Sequence, residues 1–170
     1  NPPFGVDWSK YKDPIEKESK VLGHSGRYGP GLPRVSDGSL LFLMHMLSKF
    51  KEVDDNPATV DIIEGGTSMA IVFSGSPLFS GSAGGGESEI RRYVIENDLL
   101  EGIVSLPDQL FYNTGISTYF WILSNRKRPE NVGKIFLVDA REEFTKMRKS
   151  LGEKRKMISE EQIGGITRLY

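Results

Sequence analysis

The chain has no cysteine. That excludes a disulfide framework and any thiolate metal site. Only two histidines occur, His24 and His45, and neither sits in an HExxH pattern or a His cluster, so no zinc centre is expected. No apolar run reaches the length of a membrane span and no signal peptide opens the sequence. A cytoplasmic protein with no membrane partner is expected. An excess of basic charge is also missing: 22 Lys and Arg stand against 23 Asp and Glu, a formal net charge of −1. A generically basic nucleic-acid coat is excluded, and contact with nucleic acid has to rest on local patches or on a partner. Position 1 is not Met, from which the chain is expected to be part of a longer protein. What is present is ordinary for a globular domain: 170 residues, 38% hydrophobic and 26% charged, enough for one real core.

The first four residues, Asn1-Pro2-Pro3-Phe4, carry the most chemistry. An Asn, two prolines and an aromatic form a rigid polar clamp beside a flat face. Such a clamp suits a planar nucleobase with an exocyclic amino group. The Asn1 carboxamide oxygen is placed to accept one amino hydrogen and the Pro2 carbonyl the other. Proline fixes φ, so that carbonyl direction is held at little entropic cost. The Phe4 ring offers a stacking contact worth roughly 1–3 kcal/mol per base. The same tetrapeptide also suits a plain turn or a polyproline linker.

Residues 5 to 36 show no sustained period and read as a long loop, either a segment covering a substrate or a solvated insertion. A helix is predicted from Ser36 or Asp37, both good capping residues. Its body, Leu40 to Leu47, is apolar on nearly every side and therefore buried on a wide face. His45 within it reads as a core or boundary residue rather than a base. A turn is expected at Asp54-Asp55-Asn56-Pro57. Short apolar runs predict buried strands at 67–73, 102–106 and 118–123, with a fourth at 134–138 near an edge. Between the first two, Glu87–Asn97 reads as a helix. The strand–helix–strand order implies a parallel crossover; the short polar link between the second and third strands implies an antiparallel pair. The fold class is α/β: half of a sheet ending in an antiparallel hairpin, plus a mainly helical tail. Residues 141–170 form that tail, a basic extension with seven basic and three acidic side chains from Arg141 to Lys156. Ser159-Glu160-Glu161-Gln162 is a capping-box signature. Asp139 to Glu143 reads as a solvated helix start.

Two loops remain as site candidates. Gly81-Ser82-Ala83-Gly84-Gly85-Gly86 opens a helix, but it has neither P-loop nor GxGxxG spacing, so a flexible connection is favoured over phosphate binding. Leu110 to Thr118 sets two adjacent aromatics, Phe111 and Tyr112, in a polar Gly-containing loop. They suit either a second stacking wall for a planar ligand or an aromatic plug on the sheet edge.

These pieces in this order resemble the amino-methylating DNA methyltransferases, and more closely the modification (M) subunit of type I restriction-modification systems. The resemblance rests on Asn1-Pro2-Pro3-Phe4, on Ser36-Asp37-Gly38-Ser39-Leu40-Leu41-Phe42, and on Gly84-Gly85-Gly86-Glu87-Ser88-Glu89-Ile90-Arg91. Leu106-Pro107 and Leu110-Phe111-Tyr112-Asn113-Thr114-Gly115-Ile116, with the strand to Leu123, complete it. It covers roughly residues 1 to 140, which it makes the later part of a Rossmann-like catalytic domain, from the Asn-Pro-Pro-Phe motif onward. It implies N6-methylation of adenine in DNA, with S-adenosylmethionine as donor and the target base flipped out of the duplex. Asn1, Pro2, Pro3 and Phe4 become catalytic residues, and Phe111 with Tyr112 base-binding ones. The family's Gly-rich cofactor loop and ribose-binding acid precede the motif, so no cofactor-binding residue is expected here and the chain alone is expected to be inactive. Implied partners are DNA, a specificity subunit and a restriction subunit, and the fragment is expected to self-associate. A non-enzymatic assembly scaffold and a segment of a stand-alone or fused methyltransferase remain the alternatives.

Overall fold

The computed structural model describes residues 1–53 and 65–170. Four strands make one sheet: β1 (Ser68–Phe73), β2 (Leu100–Leu106), β3 (Thr118–Ser124) and β4 (Phe136–Asp139), in the order β1-β3-β2-β4. β3 runs antiparallel to β1 and to β2, and β4 runs parallel to β2. β1 and β2 therefore point the same way, as a helical crossover requires, but β3 lies between them. The expected β2–β3 antiparallel pair is present and β4 is an edge strand. The helices are α1 (Lys12–Leu22), α2 (Ser39–Leu47), α3 (Ser76–Phe79), α4 (Gly86–Glu96) and α5 (Glu160–Leu169).

The main core follows from apolar spacing. α2 buries Leu40, Leu41, Leu43 and Met44. α4 buries Ile90 and Val94, four apart and so on one face. These side chains join Ile71, Phe73, Trp121 and Leu123 of β1 and β3 in one cluster. Phe73 meets Trp121 edge to face at 5.3 Å, a favoured aromatic geometry. Val104, Val138 and Ala140 form a second, smaller cluster, against which Ile166 of α5 packs. Leu137 on the edge strand is 77% exposed.

Two expectations are corrected. The stretch 5–36 is not a structureless loop: a short 3-10 turn at Ser9–Tyr11 leads into α1, and Trp8 and Tyr28 are core residues, each 5% exposed. α1 buries none of its own residues. It is held from outside, by Glu18 accepting from the Arg27 side chain at 2.9 Å and by the Ser19 hydroxyl donating to the Tyr28 carbonyl at 3.1 Å. Pro14 lies in its first turn, where a missing N–H is harmless.

The tail is not mainly helical either. A hairpin of β5 (Thr145–Leu151) and β6 (Lys154–Met157) precedes α5. Leu151 pairs with Lys154 across Gly152-Glu153, and Gly152 has φ +62°. Glycine with positive φ at the first position of a two-residue turn is a hairpin signal. Asp139 ends β4, and no helix starts between it and Glu143. The capping box is real: Gln162 N–H donates to the Ser159 hydroxyl, and Ser159 N–H donates to the Gln162 side chain. The turn expected at Asp54–Pro57 lies outside the described residues.

Candidate nucleobase site at the sheet edge

β1, β2 and β4 are parallel, so the loops that follow them emerge from one edge of the sheet. This is the edge at which open α/β sheets bind ligands. Three segments meet it: Ser74–Gly85, Pro107–Ser117 and Ala140–Phe144.

The clamp segment is fastened to the same edge. The Val6 carbonyl accepts from Gly38 N–H at 2.8 Å, Trp8 N–H donates to the Val35 carbonyl at 2.9 Å, and the Trp8 indole donates to the Arg34 carbonyl at 2.9 Å. The Arg34–Ser39 stretch is bound in turn to α3, directly after β1. The Ser76 hydroxyl donates to Asp37 at 2.7 Å, and the Arg34 guanidinium donates to Ser76 and Ser80 at 2.5 and 2.8 Å. Asp37 is buried, which alone would raise its carboxyl. Hydrogen bonds from Ser39 and Ser76 and the nearby Arg34 charge hold it below the usual carboxylate value instead. Asn1 and Pro3 stand exposed ahead of this anchor, with Pro2 and Phe4 half-buried. The Asn1 carboxamide has no hydrogen-bond partner among the described residues. A cleft of about 350 Å³ is lined by Val6, Trp8, Tyr11, Tyr28, Phe42 and His45. His45 is exposed, its Nδ1 3.3 Å from the Arg27 guanidinium.

Phe111 and Tyr112 lie in the loop after β2, on the same edge. Phe111 is half-buried and Tyr112 is 61% exposed. Gln109 and Asn113, on either side of them, adopt left-handed backbone with φ of 54° and 57°. That conformation is costly for residues with a side chain and concentrates at functional sites. The loop is braced by the hairpin. The Gln109 carbonyl accepts from Arg155 N–H at 2.9 Å and Lys156 N–H at 3.2 Å, and Lys156 pairs with Asp108. The Lys154 ammonium lies 5.1 Å from the Tyr112 ring centre. Sequence reasoning missed this brace; Gly152-Glu153 between two β-compatible runs was its only local sign. Phe4 and Phe111 are not stacked on one another or on another ring among the described residues.

The glycine-rich loop has a packing role. A Cβ on Gly86 would stand 1.7 Å from the Leu32 carbonyl oxygen, so only glycine lets these backbones meet. Glu87 and Glu89 already occupy the first turn of α4, and Glu87 accepts from Arg34 N–H at 3.0 Å. An anion has no place at that helix start. Asp139 accepts two hydrogen bonds from the Arg141 side chain, which lowers its carboxyl to about 2.

The chain is similar to proteins of known family. The methylase subunit of the type I restriction enzyme MjaIX from Methanocaldococcus jannaschii is 35% identical over 85 residues, which is 50% of this chain and 14% of that protein. The MpnII methylase subunit from Mycoplasma pneumoniae is 24% identical over 150 residues, 88% of this chain and 24% of that one. The solved structure of the type I restriction-modification system methyltransferase subunit from Streptococcus thermophilus superposes with a TM-score of 0.71 at 27% identity, covering 99% of this chain and 29% of that chain. The chain thus spans between about a seventh and a quarter of these two curated relatives. The family model of the N-6 DNA methylases matches residues 1–170, and the chain belongs to that family.

Proposed function

We propose that this chain is the base-binding segment of a type I modification subunit that methylates adenine N6 in DNA, with S-adenosylmethionine supplying the methyl group. The observation that carries this reading is the fastening of the Asn1–Phe4 continuation to the sheet edge that also bears Phe111 and Tyr112, in a chain of this family. Asn1 and Pro2 supply two carbonyl acceptors for the two N6 hydrogens. Accepting both leaves more electron density on nitrogen and favours a tetrahedral geometry there. Phe4 and Phe111 are the stacking walls, Tyr112 the outer one. Extruding the base costs a few kcal/mol, which stacking offsets. Much of the rate then comes from positioning.

The Gly81–Gly86 turn offers the donor no close approach, because Gly86 packs directly on the Leu32 backbone. We assign the donor pocket to the greater part of the subunit, which this chain does not span. DNA, a specificity subunit and a restriction subunit are the proposed partners. The chain alone is expected to be inactive, and its exposed Leu137 and Phe79, each 77% exposed, favour self-association.

The test is methyl transfer from labelled donor to adenine by the assembled full-length subunit. Asn1→Ala removes one acceptor and no core volume. It is expected to lower turnover on the order of 100-fold, as loss of one preorganised polar partner does elsewhere, with assembly intact. Wild-type turnover in the variant would refute the catalytic role.

A further inference from the structure

The β5–β6 hairpin holds six basic side chains and one acidic one between Thr145 and Met157, in a chain whose formal net charge is −1. Two of the six are engaged by neighbours: Lys154 lies near the Tyr112 ring, and Lys156 pairs with Asp108 and lies over the Phe144 ring. The other four, Lys146, Arg148, Lys149 and Arg155, are exposed, and none has an ion-pair partner among the described residues. Lys146 stands directly across from Lys156 in the ladder. Like charges in facing positions destabilise a hairpin. A hairpin built for its own stability would not place them so.

The position of this charge matters as much as its amount. β6 is hydrogen-bonded through its backbone to Gln109, two residues before Phe111. A methyl group added at Gly152, in the hairpin turn, would stand 3.6 Å from Asn113 Oδ1, two residues after Phe111. Hairpin and aromatic loop are therefore bonded before Phe111 and lie close together after it. A polyanion lying on the hairpin is held next to whatever the loop stacks upon.

We propose that the hairpin is a phosphate grip for the DNA strand. Lys146, Arg148, Lys149 and Arg155 contact backbone phosphates beside the extruded nucleotide, and Lys154 and Lys156 join the grip to the Phe111–Tyr112 loop. This rests on the reading of the site as a nucleobase site in a DNA methylase. It goes beyond that reading by naming a sequence-independent contact surface for DNA on this subunit. An acidic face of a partner subunit is the rival occupant. DNA is favoured because the charge is attached to the loop that would meet a base.

The test uses the full-length subunit assembled with its specificity subunit and a cognate duplex carrying 2-aminopurine at the target position. The triple variant Lys146→Gln, Arg148→Gln, Lys149→Gln is compared with the charge-keeping Lys146→Arg, Arg148→Lys, Lys149→Arg. Loss of three contacts flattens the slope of log K against log salt by about 2.7. The affinity advantage of wild type over the neutral variant then shrinks about 40-fold between 50 and 200 mM salt. The charge-keeping variant is expected to retain the wild-type slope. A neutral variant with the wild-type slope overturns the proposal, as does one that no longer copurifies with the specificity subunit, which would make the hairpin a subunit surface. Methyl transfer by the wild-type complex is measured alongside. Its absence refutes the methylase reading itself, whereas its presence with an unchanged slope refutes only the grip.

Discussion

Replacing Asp37 with alanine tests how the clamp is held. The Asp37 carboxylate accepts Ser39 N–H at 3.1 Å, the Ser39 hydroxyl at 2.6 Å and the Ser76 hydroxyl at 2.7 Å. Ser39 is 1% exposed, so water cannot replace the lost acceptor there. A buried donor left unpaired costs about 1–3 kcal/mol, and removing Asp37 strips the acceptor from both the Ser39 N–H and the Ser39 hydroxyl. The Arg34 ion pair at 3.6 Å adds little, since that guanidinium is half exposed. A total of about 2–4 kcal/mol is expected. For a chain of this size that lowers Tm by about 5–15 °C.

Asp37→Asn separates geometry from charge. It keeps an acceptor for Ser39 and should cost much less, but it removes a titration. The native Asp37 carboxyl lies below its ordinary value, so the native state binds fewer protons there than the unfolded chain. Its contribution is fully present above the unfolded pKa, about 3.9, and is lost as pH falls through the lowered native value. Wild type should therefore lose stability on acidification more steeply than Asp37→Asn over that window. Thermal melts of the three proteins between pH 3 and pH 7 read both effects. An unchanged Tm in the alanine variant, or parallel acid profiles for wild type and the asparagine variant, would refute the anchoring described for Arg34–Ser39.

Phe111→Ala should weaken capture of the flipped base by about 1–3 kcal/mol, roughly 5- to 150-fold; an undiminished 2-aminopurine signal at the target position would argue for the aromatic-plug role instead. Titration calorimetry of the 170-residue chain with S-adenosylmethionine is expected to show weak binding or none, and micromolar binding at one site per chain would show that the donor pocket lies here after all.

Elements whose reasons are local were legible in the sequence. β1 and β3 are apolar runs with abrupt ends, and α2 is apolar enough that burial is its only outcome. The insertion of β3 between β1 and β2 was not legible, because loop length says that two strands are neighbours and not what lies on the far side of each. α1 escaped for a different reason. Its apolar stripe is thin, with Ile15 packing on the main core, and it is held as well by the Glu18–Arg27 pair and the Ser19–Tyr28 bond, both nine residues apart and invisible to a helical period. In the tail, charge hid the strand pattern: a run of Lys and Arg reads as a solvated face whether it is helix or hairpin, and only Gly152 marked the turn.

For the site, the chemistry of single residues was readable and their assembly was not. An Asn-Pro-Pro-Phe clamp and a Phe-Tyr pair declare what they suit. The bonds that bring their carriers to one edge, Asp37 to Ser76 and Lys156 to Asp108, join residues 39 and 48 apart. No local pattern encodes such bonds. The composition changes at Arg141, but the contacts run across that point: Ile166 packs on the Val104 cluster and the Tyr170 ring meets Phe136 at 5.9 Å. The two left-handed residues around Phe111 make the same point energetically. Gln109 costs about 1–2 kcal/mol in that conformation, whereas Asn113 is a residue that adopts it more readily. A free loop would relax out of it. The two backbone hydrogen bonds to Gln109 and the Asp108–Lys156 pair come from residues more than forty positions downstream. The presentation of Phe111 therefore depends on the basic segment, and a chain lacking residues after 140 would keep both aromatics and lose their placement.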